Sequence, residues 1–271
     1  MKRFFKTILT IFSAYNFFDA IVILVSYVRF VARSRFSENK QHFDSVINFS
    51  LTFPNRSVLF GQLVEIFFAR VYKIRSEKRV QKIIDCGSNI GVSVLYFKWR
   101  CPRADILCFE PNPEAFRYLQ DNMKNNQLEN IQARQLALGN NTRQASLFIE
   151  DVVQASTGAS LAESVSLSKK DSVQVEVVPL SGFIQSNVDY VKLDVEGAEF
   201  EIIEDLKKNN KLHFISQLSI EYHFSILGSE LFTKLISILK ESGFICMYQH
   251  SPMHKSDGQM SGTSIISAWR E

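Results

Sequence analysis

KIIDCGSNIG, residues 82–91, is the stretch from which the fold is read. Lys82 to Cys86 is a short apolar run closed by an acid, as expected of a strand. Gly87 and Gly91 then break it, and Val92 to Trp99 resumes as a helix. A strand ending in an acid, followed by a glycine-containing turn that opens a helix, is how α/β folds hold nucleotide-like ligands. Glycine lets the backbone approach the ligand, and the helix N-terminus offers unpaired N–H groups. The dinucleotide spacing G-x-G-x-x-G is absent.

Downstream, the pattern alternates. Asp105–Glu110 reads as a second strand. A helix over Glu114–Asn126 follows, with Pro113 in its first turn and Asn112 as its N-cap, and then a strand over Asn130–Ala137. Strands are also expected at Ala145–Ile149, Val173–Val178, Val188–Asp194, Phe214–Tyr222, Phe244–Gln249 and Thr263–Arg270. Helices are expected near Leu180–Gln185, from Glu199 to Asn209 and over Leu231–Glu241. Strands separated by helices imply parallel β-α-β units. The last two strands have only a polar loop, His250 to Gly262, between them and should pair antiparallel. A dehydrogenase sheet would instead be expected to end in another β-α-β unit. A Ser-, Ala- and Lys-rich stretch from Val152 to Ser172 reads as either a surface loop or a lid on the acceptor side.

In parallel sheets, ligands bind outside the carboxyl ends of the strands. The residues there are Asp85, Gly87, Ser88, Asn89 and Gly91 after the first strand, and Glu110 and Asn112 after the second. Asp194 and Glu196 follow the fourth, and Glu221 and His223 the fifth. Glu110 lies 19 residues past Gly91, where an acceptor-only carboxylate would take both protons of a ribose diol. His223 can deprotonate a hydroxyl near neutral pH, and Glu221 is an alternative base or a pocket residue. Asp194, Glu196 and Glu199 also allow a divalent-metal reading, but no further acid or Asn cluster completes the ligand set, so no metal is expected.

DCGSNIG at Asp85–Gly91, FEPNPEAFRYLQDN at Phe109–Asn122 and VKLDVEGAEFEIIEDL at Val191–Leu206 together resemble the FkbM family of S-adenosylmethionine (SAM)-dependent methyltransferases. ALGN at Ala137–Asn140 and IEYHF at Ile220–Phe224 add to the likeness, which spans about Val58 to Phe224. The resemblance implies a Rossmann-like class I methyltransferase fold, α/β, with a mostly parallel seven-stranded sheet that ends in an antiparallel hairpin. It implies SAM as cofactor, bound by Gly87, Asn89, Gly91 and Glu110, with Asp85, Ser88, Asn112 and Ala137 beside them. It also implies methyl transfer to a hydroxyl oxygen; the acceptor is expected to be a small molecule, glycan or lipid-linked sugar, and Asp194, Glu196, Glu221 and His223, read from their places at the strand ends, are the catalytic candidates. Cys86 and Ser88 stand where the family more often shows Val and Ala. A nicotinamide-dependent oxidoreductase and a non-catalytic, membrane-held protein of the same fold are the alternatives.

Composition bounds the rest. The chain has 271 residues, 46% hydrophobic and 22% charged, which suffices for a real core. A net charge of +3 without an aromatic-interleaved basic stripe gives no case for nucleic acid. Cys86, Cys101, Cys108 and Cys246 are too far apart in sequence for Cys-x-x-Cys and read as reduced thiols in a cytoplasmic protein. Residues 1–56 read as a hydrophobic helical extension and 57–271 as the methyltransferase domain. Within residues 1–35, basic residues flank an apolar run from Thr7 to Val28 that Asn16 and Asp19 interrupt, and the polar stripe shifts near Asn16. Two shorter amphipathic helices are therefore expected. Packing on the domain, lying on a membrane and spanning one all stay open.

Overall fold

The structure, a computed structural model, describes residues 10–34, 42–54, 56–149, 160–161, 171–250, 254–256 and 259–271. Most of Val152–Ser172, the expected lid, lies outside these residues, as do residues 1–9. The central sheet has strands β1 (Lys82–Cys86), β2 (Asp105–Phe109), β3 (Ile131–Arg134), β4 (Tyr190–Leu193), β5 (Gln217–His223), β6 (Ile245–His250) and β7 (Thr263–Trp269). Their order across the sheet is β6-β7-β5-β4-β1-β2-β3. Strands β1 to β5 pair in parallel, whereas β7 is antiparallel to both β5 and β6. The final strand thus inserts between its two predecessors. This is the mostly parallel, hairpin-ended sheet expected from the sequence.

Helices α1 (Phe17–Ser34), α2 (Val92–Arg100), α3 (Pro113–Asn125), α4 (Glu199–Lys208) and α5 (Phe224–Glu241) cover the two faces. The period-two alternation of the buried strands decides which face each residue serves. Ile83 joins the core under α1, α2 and α3, whereas Ile84 and Cys86 join the core under α4 and α5. Helix α3 shows how sequence places an element. Asn112 caps it by accepting from the N–H groups of Glu114 (3.0 Å) and Ala115 (3.4 Å), and Phe116, Tyr118 and Leu119 face inward. One turn apart on its inner side, Asn122 and Asn126 hydrogen-bond the backbone of Thr52 and Ser50, which docks the hairpin His42–Val46/Phe49–Thr52.

Several boundaries differ from those expected. Asn130–Ala137 is not one strand: Ile131–Arg134 stays in the central sheet, and Ala137–Gly139 crosses to a three-stranded sheet with Arg143–Ile149 and Asp171–Pro179. Helix α5 begins earlier than Leu231 and runs through a kink at Gly228, whose φ of 70° only glycine takes readily. Residues 254–256 and 259–261, within the expected polar loop, form a short antiparallel pair. Ahead of β1, an α-helix over Arg56–Gln62 runs into a π-helix over Leu63–Phe68. That wider turn is common at functional sites, and here it places Glu65 against a cavity.

Residues 10–14 are helical, the helix is interrupted at 15–16, and α1 follows. Ile11, Tyr15, Ala20, Ile23 and Tyr27 are buried in the same core as β1 and α2. The Tyr15 hydroxyl donates to the Phe67 carbonyl at 2.5 Å. Arg100 pairs with Asp19 at 2.6 Å and also with Glu77, which Arg70 shares, so two acids and two guanidiniums form a network that clamps the extension to α2. Among the described residues no helix is long and apolar enough to cross a membrane. All four cysteines are free thiols, and Cys86, Cys101 and Cys108 are buried.

Candidate functional site

The carboxyl ends of β1, β2, β4 and β5 open onto a cavity of about 340 Å³, closed from the side by Gln62, Glu65 and Ile66 and by the three-stranded sheet. Its floor is Gly87, Ser88 and Asn89 of the Gly87–Gly91 turn. Gly87 has φ +83°, and a Cβ there would lie 1.7 Å from the Asp194 carbonyl oxygen, so only glycine lets β1 and β4 close together. The turn is pinned from both neighbours. Gly87 and Ser88 N–H groups donate to Phe109 O at 2.9 and 3.0 Å, and Asp194 N–H donates to Cys86 O at 3.1 Å. Asn89, also at positive φ (47°), presents its N–H to the Glu110 Oε2 atom at 2.8 Å.

Glu110 is therefore held at both oxygens, because Asn112 N–H donates to Oε1 at 2.8 Å. Each oxygen keeps a lone pair, and the group lines the cavity while only 5% exposed. Burial pushes its pKa up to about 7, against the pull of those two N–H donors. Ser88, Asn89 and Ala137 line the same region. Asp85, Gly91 and Asn112 stand behind the wall instead. Asp85 is fully buried and accepts from the Ser93 hydroxyl at 2.5 Å, Gly91 packs against Leu119, and Asn112 caps α3.

The opposite end is rich in acid. Asp194, Glu196, Glu221 and His223 all line the cavity, and Lys192, Tyr72 and Glu65 join them. Lys192 is 1% exposed yet charged. Burial opposes its charge, but Asp85 and Asp194, each 3.3 Å from Nζ, outweigh burial and hold its pKa above the ordinary lysine range. Its ammonium also donates to Gly87 O at 2.8 Å, joining the glycine turn to the acidic end.

The Tyr72 hydroxyl lies 3.0 Å from both Asp194 Oδ2 and Glu221 Oε2. One phenolic proton cannot satisfy two carboxylates at once: with Glu221 ionised the phenol serves one of them, and once Glu221 takes up a proton it can donate to the phenol oxygen, which donates on to Asp194. Burial, followed by the nearby Asp194 charge, raises the Glu221 pKa to about 7, in keeping with that chain. Glu196 is likewise raised to about 7, burial being the main cause and His223 opposing it.

His223 is wedged between two acids, with Nδ1 2.8 Å from Glu199 Oε1 and Nε2 3.3 Å from Glu196 Oε2. Burial disfavours its charge, but Glu199 overcomes it, and the pKa rises to about 10. At neutral pH the ring is an imidazolium and has no lone pair with which to take a proton. Glu199, fully buried, also accepts from Gly197 N–H at 3.2 Å, so it fixes both the turn and the ring. Ligand atoms of Asp194, Glu196 and His223 lie within 4.8 Å of one another, a grouping that can hold a metal ion.

Sequence reading missed Lys192, Tyr72 and Glu65. Lys192 carried a signal, since a lysine inside the buried strand VKL must have partners. Tyr72 and Glu65 carried none, because the π-helix and the turn after it aim them.

A family model described as "Methyltransferase FkbM domain" matches residues 85–246, more than half of the chain. Among curated proteins, "Methyltransferase 1" of Beauveria bassiana (strain ARSEF 2860) is 30% identical over 161 residues, covering 52% of this chain and 65% of that protein. "Methyltransferase sdnD" of Sordaria araneosa is 28% identical over 176 residues, covering 54% and 68%. The chain thus spans about two thirds of the length of these relatives. A solved methyltransferase FkbM from Methylobacillus flagellatus KT superposes with a TM-score of 0.47 at 15% identity, over 76% of this chain and 52% of that one.

Proposed function

The chain belongs to the methyltransferase FkbM domain family, and on that premise we propose that it is a SAM-dependent O-methyltransferase. The observation that carries this reading is Glu110, a buried carboxylate at the end of β2 whose remaining lone pairs face the cavity. The cavity, about 340 Å³, is of the size small-molecule sites have, and its Glu110 end suits a ribose diol. When bound, SAM supplies an electrophilic methyl group on a sulfonium. Glu110 holds the ribose, and Gly87, Ser88, Asn89 and Ala137 form the surface against the cofactor, while Asp85, Gly91 and Asn112 keep that surface in place.

The chain's own contribution is orientation and one proton transfer. Glu221 is the base: its carboxylate takes the proton that the acceptor hydroxyl loses as the oxygen is alkylated. The Tyr72 phenol accepts a hydrogen bond from the newly protonated Glu221 and passes its own to Asp194, whose charge Lys192 balances. His223, already protonated, steadies Glu196 at the cavity wall rather than accepting a proton.

The charge inventory supports an acceptor class. Five carboxyl groups, of Glu65, Glu110, Asp194, Glu196 and Glu221, line the cavity with two cationic groups, of Lys192 and His223. An uncharged polyhydroxylated molecule, such as a sugar or a small hydroxylated metabolite, fits that balance better than an anion. Residues 57–271 carry the chemistry, and residues 1–56 form an extension that serves location. The free, buried thiols support a cytoplasmic setting.

The test is comparative mass spectrometry of metabolites from cells expressing the chain or Glu221→Gln. A product heavier by one methylene, made by the parent and reduced about a hundredfold or more in the variant, is expected. Equal product from both removes Glu221 as base, and no such product from the parent argues against methyl transfer.

A further inference from the structure

Helix α1 is built inside out. Its polar residues Asp19 and Ser26 face the protein: Asp19 pairs with Arg100, and the Ser26 hydroxyl, 5% exposed, accepts from Ile47 N–H at 3.1 Å. Its outer face is apolar. Of the seven exposed residues between Phe17 and Arg29, six are Phe17, Phe18, Ile21, Val22, Val25 and Val28, and the seventh is Arg29. At helical spacing they form one stripe, with Phe18 80% and Phe17 65% exposed. A contiguous apolar stripe of this kind on a charged surface marks an interaction site.

Charge identifies the occupant. Residues 1–35 contain six basic residues, Lys2, Arg3, Lys6, Arg29, Arg33 and Arg35, and one acid, Asp19. This segment carries a net +5 in a chain whose total is +3, so the other residues sum to −2. A second copy of the chain seated on the stripe through a twofold interface would bring two such segments together. An anionic lipid surface attracts them instead. Among the described residues no helix is long and apolar enough to cross a membrane, and α1 buries Ala20, Ile23 and Tyr27 in the core of the domain.

We propose that the outer face of α1 docks on an anionic bilayer surface, with Phe17, Phe18, Val22 and Val25 seated at the headgroup boundary, the exposed Arg29 beside lipid phosphates, and the net positive charge of residues 1–35 drawing the segment to that surface. The helix transmits this contact inward, because Tyr27 packs on Phe60 and Phe68, and Tyr15 bonds to Phe67, in the segment that walls the cavity through Gln62 and Glu65. Docking therefore braces the cavity wall and brings the site to acceptors carried on or near a membrane. The proposal stands whether or not methyl transfer is the reaction.

The experiment is flotation of the full chain with vesicles of phosphatidylcholine, with and without phosphatidylserine, alongside light scattering. A monomer that floats only with phosphatidylserine vesicles, and less as salt rises, is expected. Phe17→Ser/Phe18→Ser should reduce that partitioning by about ten- to a hundredfold with unchanged circular dichroism. Arg29→Glu, which leaves the stripe intact, should weaken it in the same direction. Failure of the parent to float, flotation unaffected by either variant, or a dimer dispersed by Phe17→Ser/Phe18→Ser would each overturn the proposal.

Discussion

Replacing Gly87 with alanine tests the geometry on which the whole site depends. The residue sits at φ +83°, which costs a residue bearing a Cβ about 1–2 kcal/mol. The added carbon would stand 1.7 Å from the Asp194 carbonyl oxygen, roughly half a normal carbon–oxygen contact, so backbone must move by more than an ångström. The movable pieces are tied by Gly87 N–H and Ser88 N–H to Phe109 O and by Asp194 N–H to Cys86 O. Losing one or two of these bonds adds about 1–2 kcal/mol, and residual strain brings the sum to about 3–5 kcal/mol.

The same shift displaces Asp194 from Lys192 and Tyr72, so affinity for S-adenosylhomocysteine should fall together with stability. Gly182→Ala is the internal control, since no atom lies within 4 Å of where its Cβ would stand and its φ is not positive. It should be neutral or slightly stabilising. Urea denaturation with matched slopes gives the stabilities, and calorimetry the affinities. A Gly87→Ala protein within about 1 kcal/mol of the parent, binding the ligand equally well, would refute the reasoning.

Other consequences follow from the buried charges. Glu77→Gln leaves the guanidiniums of Arg70 and Arg100 without their shared counter-charge, at 12% and 14% side-chain exposure, and should cost about 3 kcal/mol in urea denaturation. Stability should also depend on pH in a definite direction. His223 titrates near 10 in the fold against 6.5 ordinarily, so its stabilisation is complete below about pH 6.5 and lost as pH rises through 10. Glu110, Glu196 and Glu221 titrate near 7 against 4.5, so the fold binds more protons between those values and loses stability as pH rises through that window. The melting temperature of the ligand-free protein, followed by scanning fluorimetry, should decline from pH 5 to pH 10. A rise over that range would contradict the assignments.

Much of this was legible in the sequence for identifiable reasons. The β-α-β rhythm could be read because parallel strands buried on both faces are short apolar runs, as in IIDC and ILCF, and because Pro113 and Asn112 mark a helix start. The antiparallel close was legible from the missing helix after Gln249. That β7 would slip between β5 and β6 was not, since pairing depends on contacts far apart in the chain. Among site residues, those on strand ends could be placed by topology alone, and Glu110, Asp194 and Glu221 fall on one cavity. Roles were harder. The strand-end position of His223 could be read, but not that Glu199, 24 residues earlier, lies 2.8 Å from its Nδ1. Tyr72 lies 122 residues from Asp194 and 149 from Glu221, with no periodicity to announce the contact. The N-terminal segment gave its break near Asn16 from the shift in its polar stripe, but not which side would face the protein.

The most direct measurement is calorimetric binding of SAM and S-adenosylhomocysteine to the full chain and to Glu110→Ala. The variant removes both acceptor oxygens at the end of β2, and with them the Asn89 N–H contact, while leaving the Gly87 and Ser88 bonds to Phe109 O and the acidic end in place. Binding in the micromolar range by the parent, weakened about a hundredfold or more in the variant, is the predicted result, since a site built to hydrogen-bond hydroxyls loses heavily when its buried partner is removed. Equal affinity in the two proteins would contradict the ribose role of Glu110, and absence of binding by the parent would contradict the account as a whole.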